Sequence, residues 1–140
     1  MAKSSSNLII ALWVHPRSMS TAIERIMRER GDLQCLHEPF MYYYYIGLGK
    51  KQLPHAELDI GRFTGFTEII ADIREKSGTG PVFFKDMGYY VIPEIFDYPE
   101  LAREIRHLLL VRDPRSSILS YYRLDPQVTR EEIGIEAQWI

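Results

Sequence analysis

The sequence predicts an α/β domain with a mainly parallel central sheet. Short apolar segments typical of strands alternate along the chain with segments of 3.6-residue helical periodicity. The first apolar run, residues 7–14, contains no charge, which is typical of a central parallel strand covered on both faces. The 140 residues are 46% hydrophobic and 26% charged, so the chain can bury one core and is not expected to be disordered. We therefore predict a single domain over residues 1–140.

Four strands and at least five helices are expected. The apolar runs predict strands at residues 7–14, 33–37, 82–85 and 106–111. Apolar periodicity and punctuation by Pro and Gly predict helices at residues 18–30, 67–75, 99–104 and 115–122, and one more beginning near Thr129. Within the first helix Glu24 and Arg28 form an i,i+4 pair, and the segment TREE at Thr129 resembles a capping box.

Residues 39–65 are the least regular stretch, and they predict a long loop or a short helical insertion. They include four consecutive tyrosines, Tyr42 to Tyr45. Aromatic side chains stack on rings and sugars, so these tyrosines are candidates for an acceptor pocket. The alternative, which we prefer slightly, is a partly buried hairpin or helix.

Composition excludes several function classes. The net charge of −2 argues against a nucleic-acid partner, because such proteins usually have a basic excess. The single cysteine, Cys35, cannot form an internal disulfide or a CxxC zinc site, and we expect it in the core. Residues 8–14 are too few to span a bilayer, so we expect a cytoplasmic protein without a membrane partner.

The loop after the first strand is a candidate anion site. Residues 14–21 occupy the frame of the phosphate-binding pattern GxxxxGK[ST], but the glycines and the lysine are missing and only Thr21 remains. The loop instead offers Arg17 and the hydroxyls of Ser18, Ser20 and Thr21 at a helix start, which suits one tetrahedral anion. The alternative is that the hydroxyls only cap the helix and that Arg17 is solvated.

A second strand-to-loop transition follows residues 108–111. It delivers Arg112 and Asp113, and Ser120 lies eight residues after Arg112. The strand end and the next helix could bring Arg112 and Ser120 onto one phosphate. The alternative is a surface pair between Arg112 and Asp113.

Together the two segments resemble the P-loop sulfotransferase family, in a branch of bacterial type. The residues on which this resemblance rests are PRSMST at positions 16–21 and RDPR at positions 112–115, followed by Ser120. The resemblance implies a three-layer P-loop NTPase-like fold and the donor PAPS (3′-phosphoadenosine 5′-phosphosulfate), with no metal expected. It places the 5′-phosphosulfate on Pro16, Arg17, Ser18, Met19, Ser20 and Thr21, and the 3′-phosphate on Arg112 and Ser120.

The resemblance also implies roles in transferring a sulfuryl group to a small alcohol or amine. Arg17 is expected to stabilise the leaving oxygens, with Lys85 as a supporting cation and Glu38 as the base. Where related enzymes place a histidine two residues after the strand lysine, this chain has Met87, which favours Glu38; His37 is the fallback. The alternatives are structural pairs of Glu38 with an arginine and of Lys85 with Asp86.

Three further expectations concern the whole protein. The chain stops inside a helical pattern, so we expect a C-terminally truncated domain. The family motif has Gly where this chain has Met19, and both departures bear on whether this chain catalyses turnover. The first rival function is a nucleotide kinase or other P-loop phosphotransferase, which would need ATP and magnesium. The second is a non-catalytic nucleotide-binding domain. The sequence does not predict the oligomeric state.

Overall fold

A four-stranded parallel sheet forms the centre of the protein. The structure is a computed structural model, and it describes residues 7–50, 59 and 61–139. The strands are β1 Ile9–Val14, β2 Gln34–His37, β3 Val82–Met87 and β4 Ile105–Leu109. They are parallel throughout, in the order β2-β3-β1-β4. The predicted α/β class and parallel sheet are confirmed.

Helices connect the strands. They are α1 Ser20–Glu29, α2 Phe66–Ser77, α3 Gly88–Phe96, α4 Pro99–Glu104, α5 Pro114–Leu124 and α6 Arg130–Ile133. A π-helical turn at Tyr43–Gly47 and a 3₁₀ turn at Glu136–Gln138 complete the regular structure. No helix in the described ranges is long and apolar enough to cross a membrane.

Alternation along β1 gives the sheet two apolar faces. Ile9, Ala11 and Trp13 belong to the larger core, which also contains buried residues of α2, α3 and α4. Leu12 and Val14 belong to a second cluster, against which residues of α1 pack. Successive strand side chains point to opposite faces, so one strand supplies both cores. Helices therefore cover the sheet from both sides, in three layers.

The structure shifts one predicted helix start, confirms the predicted capping box and contains one helix that was not predicted. The first helix begins at Ser20 rather than at residue 18, because Met19 has a φ of 66°, in the left-handed region. The capping box is confirmed: Glu132 N donates to Thr129 Oγ1 at 3.2 Å. Helix α3 was not predicted, since it contains Pro93, which usually ends a helix, and its sequence is mostly apolar.

Candidate functional site

A pocket of about 430 Å³ opens at the carboxyl ends of the strands. The whole first loop, residues 16–21, lines it. His37 and Glu38 reach it from the end of β2, Lys85 from β3 and Arg112 from the loop after β4. Ligands of parallel α/β sheets bind at this edge, so the fold brings the predicted residues to the expected place.

The first loop has the features of an anion site. Arg17 and Met19 both have positive φ values, 65° and 66°. Met19 is the N-cap of α1 but makes no side-chain hydrogen bond to it, and the first turn contains no acidic residue. The first N–H groups of a helix lack internal acceptors and attract an anion. The Ser18 hydroxyl on the pocket wall is 4% exposed and has no hydrogen-bond partner within the described ranges.

The second loop is bonded directly to the first. Arg17 Nε donates to Ser120 Oγ at 2.9 Å, and Arg112 Nη1 donates to the Arg17 carbonyl at 2.9 Å. Ser120 therefore reaches the site through Arg17 and is not itself on the pocket wall. Asp113 does not pair with Arg112: it caps α5 by accepting a bond from Ser116 N at 3.1 Å.

His15 joins the two loops through hydrogen bonds that require its neutral form. Its Nε2 accepts a bond from the Arg112 backbone N–H at 3.0 Å, so Nδ1 bears the proton and donates to the Pro16 carbonyl, 3.2 Å away. Burial lowers the pKa of His15; the bond to Pro16 opposes this and the Arg112 charge reinforces it. The ring is neutral at pH 7, as its acceptor role requires.

Four ionisable side chains contact one another at the pocket, and three of them line it. Lys85, 2% exposed, places Nζ 3.1 Å from Glu38 Oε1 and 3.5 Å from Glu24 Oε2. His37 Nδ1 donates to Glu24 Oε2 at 2.8 Å. Burial alone would raise the pKa of Glu24, but the His37 bond and the His37, Lys85 and Arg28 interactions hold it below its usual value.

The alternative pairing of Lys85 with Asp86 is wrong, because adjacent strand residues point to opposite faces. Asp86 is fully buried on the other side and accepts bonds from Phe40 N at 2.7 Å and Met87 N at 3.0 Å. Burial and the nearby Glu38 charge raise its pKa well above the usual value. Its bonds secure the turn after β2, where Glu38 has a φ of 43°.

An aromatic wall closes one side of the pocket. Tyr45 from the π-helical turn and Tyr89 and Tyr90 from α3 line the pocket and contact one another, with Tyr89 and Tyr90 centroids 4.8 Å apart. Burial raises the pKa of Tyr89 and Tyr90, so both phenols stay neutral. Tyr42 to Tyr45 are thus partly helical as preferred, and one of them also faces the site.

Sequence reasoning missed Glu24 and the α3 tyrosines. Glu24 was noticed only for its pair with Arg28, which exists at 3.2 Å. Its place between His37 and Lys85 depends on strands that lie 13 and 61 residues further along the chain, so no local signal indicated it. Within the described ranges, no three His, Cys, Asp or Glu side chains are grouped to hold a metal ion.

The all-parallel sheet, with a candidate anion site in the loop after β1, defines an α/β protein of P-loop-like architecture. The sequence profile described as "Sulfotransferase domain" matches residues 8–140. The chain therefore belongs to the sulfotransferase family, and its general activity class is sulfotransfer. No curated protein and no solved structure matches the chain.

Proposed function

We propose that the chain binds PAPS and transfers its sulfuryl group to a small alcohol or amine. The single observation that best supports this is the buried Ser18 hydroxyl, which lacks a partner within the described ranges and lines the pocket at a helix start. A buried hydroxyl without a hydrogen bond costs about 1–3 kcal/mol. An oxyanion of the donor in the loop would supply the missing partner.

The residues fit both ends of the donor. The loop amides, Ser18 and Thr21 would hold the 5′-phosphosulfate, and Arg112, with Ser120 beside it, would hold the 3′-phosphate. The Arg17 side chain is bonded to Ser120 and so joins the residues proposed for the two ends. A guanidinium suits this place because it keeps its charge and can donate to several oxygens at once.

Transfer also needs a base for the acceptor proton. Glu38 lines the pocket and is held by Lys85 at 3.1 Å. In the proposed reaction the acceptor oxygen or nitrogen bonds to sulfur, and the bond from sulfur to the bridging oxygen breaks. PAP (3′,5′-adenosine bisphosphate) leaves with that electron pair, and Glu38 takes the acceptor proton. Lys85 and Arg17 would stabilise the charge on the leaving oxygens.

Calorimetric titration tests the donor assignment. We expect PAP to bind with a Kd in the micromolar range, and Arg17→Ala and Arg112→Ala each to weaken binding about 10- to 100-fold, since each removes a charged contact. Arg25→Ala is the matched control, because Arg25 is on α1, is exposed and pairs with Glu29. Tight binding of ATP–magnesium without PAP binding would refute the proposal and favour the kinase.

The Glu38 assignment has its own test. Glu38→Gln keeps the size of the side chain but removes the base, so transfer to any accepted alcohol or amine should fall about 100-fold or more. PAP affinity should stay within about twofold. Unchanged transfer in Glu38→Gln would exclude Glu38 as the base.

A further inference from the structure

Beside the open edge of β2 lies a second cleft, of about 530 Å³. It lies between the end of α1 and the face of α2 that carries Ile69, Asp72 and Lys76, and β2 is the outermost strand of the sheet on this side. Its volume falls within the range of about 300–1,000 Å³ usual for small-molecule sites. We propose that this cleft is the acceptor site and that it takes an amphipathic acceptor with an anionic group. The acceptor role rests on the proposed function.

The walls of the cleft are apolar on one side. Leu36, Ile69 and Phe63 line it. Phe63 is 48% exposed, so its ring is available to a ligand. Contact with such side chains favours an apolar ligand, because it removes apolar surface from water. This surface selects for an acceptor with a ring or alkyl portion.

The remaining wall is cationic. Lys76 and Asp72 both line the cleft and pair with each other, so they add no net charge. Arg28 also lines the cleft and pairs with Glu24 at 3.2 Å, so Arg62 is the cation on this wall that has no carboxylate partner within the described ranges. Arg62 donates to the Glu38 carbonyl at 2.5 Å, and its guanidinium lies 4.5 Å from the centre of the Tyr42 ring. These contacts fix the arginine and leave a pre-positioned cation, which complements a carboxylate, sulfate or phosphate.

His37 connects the cleft with the donor pocket, because it lines both. Its ring is fixed through Nδ1 on Glu24, and Nε2 lies 4.0 Å from Glu38 Oε1. The side chain is 54% exposed. An acceptor in the cleft would therefore present its hydroxyl or amine past His37 to the proposed base, while its anionic group stays on Arg62.

Chemical-shift mapping of the full chain saturated with PAP tests the cleft. The probe is 2-naphthalenesulfonate, and naphthalene-2-sulfonamide is its uncharged counterpart. We expect the sulfonate to shift the backbone amides of Phe63 and Ile69 but not of Ser18, and the sulfonamide to bind about fivefold more weakly. Arg62→Gln should weaken sulfonate binding up to about fivefold, the range of a solvent-exposed ion pair. Arg28→Gln should weaken it less, because Glu24 already balances the Arg28 charge. Arg25→Gln, on the same helix as Arg28 but outside the cleft, should not weaken it.

Three results would overturn the cleft assignment: no amide shifts at millimolar sulfonate, shifts only in residues 16–21, or equal affinity for both probes. Calorimetry with PAP distinguishes failure of the donor assignment from failure of the acceptor site. Loss of PAP binding with sulfonate still in the cleft refutes the donor and leaves an anion-binding cleft without an acceptor role. Intact PAP binding with no sulfonate in the cleft refutes the acceptor site alone.

Discussion

Replacing Met19 by glycine should stabilise the protein, although it removes a large side chain. Met19 has a φ of 66° and a ψ of 23°, and its side chain is 68% exposed. A non-glycine residue pays about 1–2 kcal/mol for this conformation. Glycine removes that cost. It also raises the conformational entropy of the unfolded chain, which lowers the free energy of unfolding by about 0.4–1 kcal/mol, and little apolar burial is lost. We expect a net gain of about 0.5–1 kcal/mol.

Urea unfolding measures this change, with Gly31→Ala as a matched control at the other end of α1. Gly31 has a φ of 76°, and an added Cβ there would meet nothing within 4 Å, so only the backbone cost applies. Gly31→Ala should therefore destabilise by about 1 kcal/mol. The two substitutions should move the unfolding midpoint in opposite directions. If Met19→Gly destabilises while Gly31→Ala behaves as expected, the loop does not hold the left-handed conformation and the argument fails.

Two further predictions concern stability. Gly134→Ala should lower the free energy of unfolding by about 2–4 kcal/mol. Its Cβ would lie 2.8 Å from Tyr89 Cδ1 and 3.2 Å from Pro16 Cδ, and the positive φ adds a backbone cost. A loss of stability no larger than that of Gly31→Ala would contradict the predicted clash. Glu24→Gln should destabilise by about 1–3 kcal/mol at pH 7. The folded pKa of Glu24 lies below its usual 4.5, so its contribution is present above that pH and is lost as pH falls further. Urea unfolding at pH 7 and pH 3 should show the wild type and Glu24→Gln converging, and a constant difference would refute the linkage.

The sequence predicted what depends on local pattern. The strands were found because parallel strands buried on both faces are continuous apolar runs, and the Thr129 box was found because capping is a four-residue interaction. Arg17 and Arg112 could be assigned to one edge of the sheet, since each lies in the loop that follows a strand. The carboxyl ends of parallel strands share that edge.

The missed features depend on tertiary contacts. Helix α3 keeps Pro93 because six of its nine residues are buried, so packing outweighs the lost backbone bond. Lys85 and Asp86 are neighbours in sequence, yet the pleat separates them and gives each a partner from another element. The left-handed residue Met19 gave no signal, because methionine is not expected at positive φ and only the surrounding loop imposes it.

The placement of β1 between β3 and β4 has a consequence for folding. The bonds that join the two loops connect residues 103 and 97 positions apart, as Arg17–Ser120 and His15–Arg112 do. Closing such long loops costs chain entropy before the contacts offset it, so we expect the pocket at the carboxyl ends of the strands to form late in folding. A ligand that binds only the native state would raise the free energy of unfolding with the logarithm of its free concentration, once that concentration exceeds Kd.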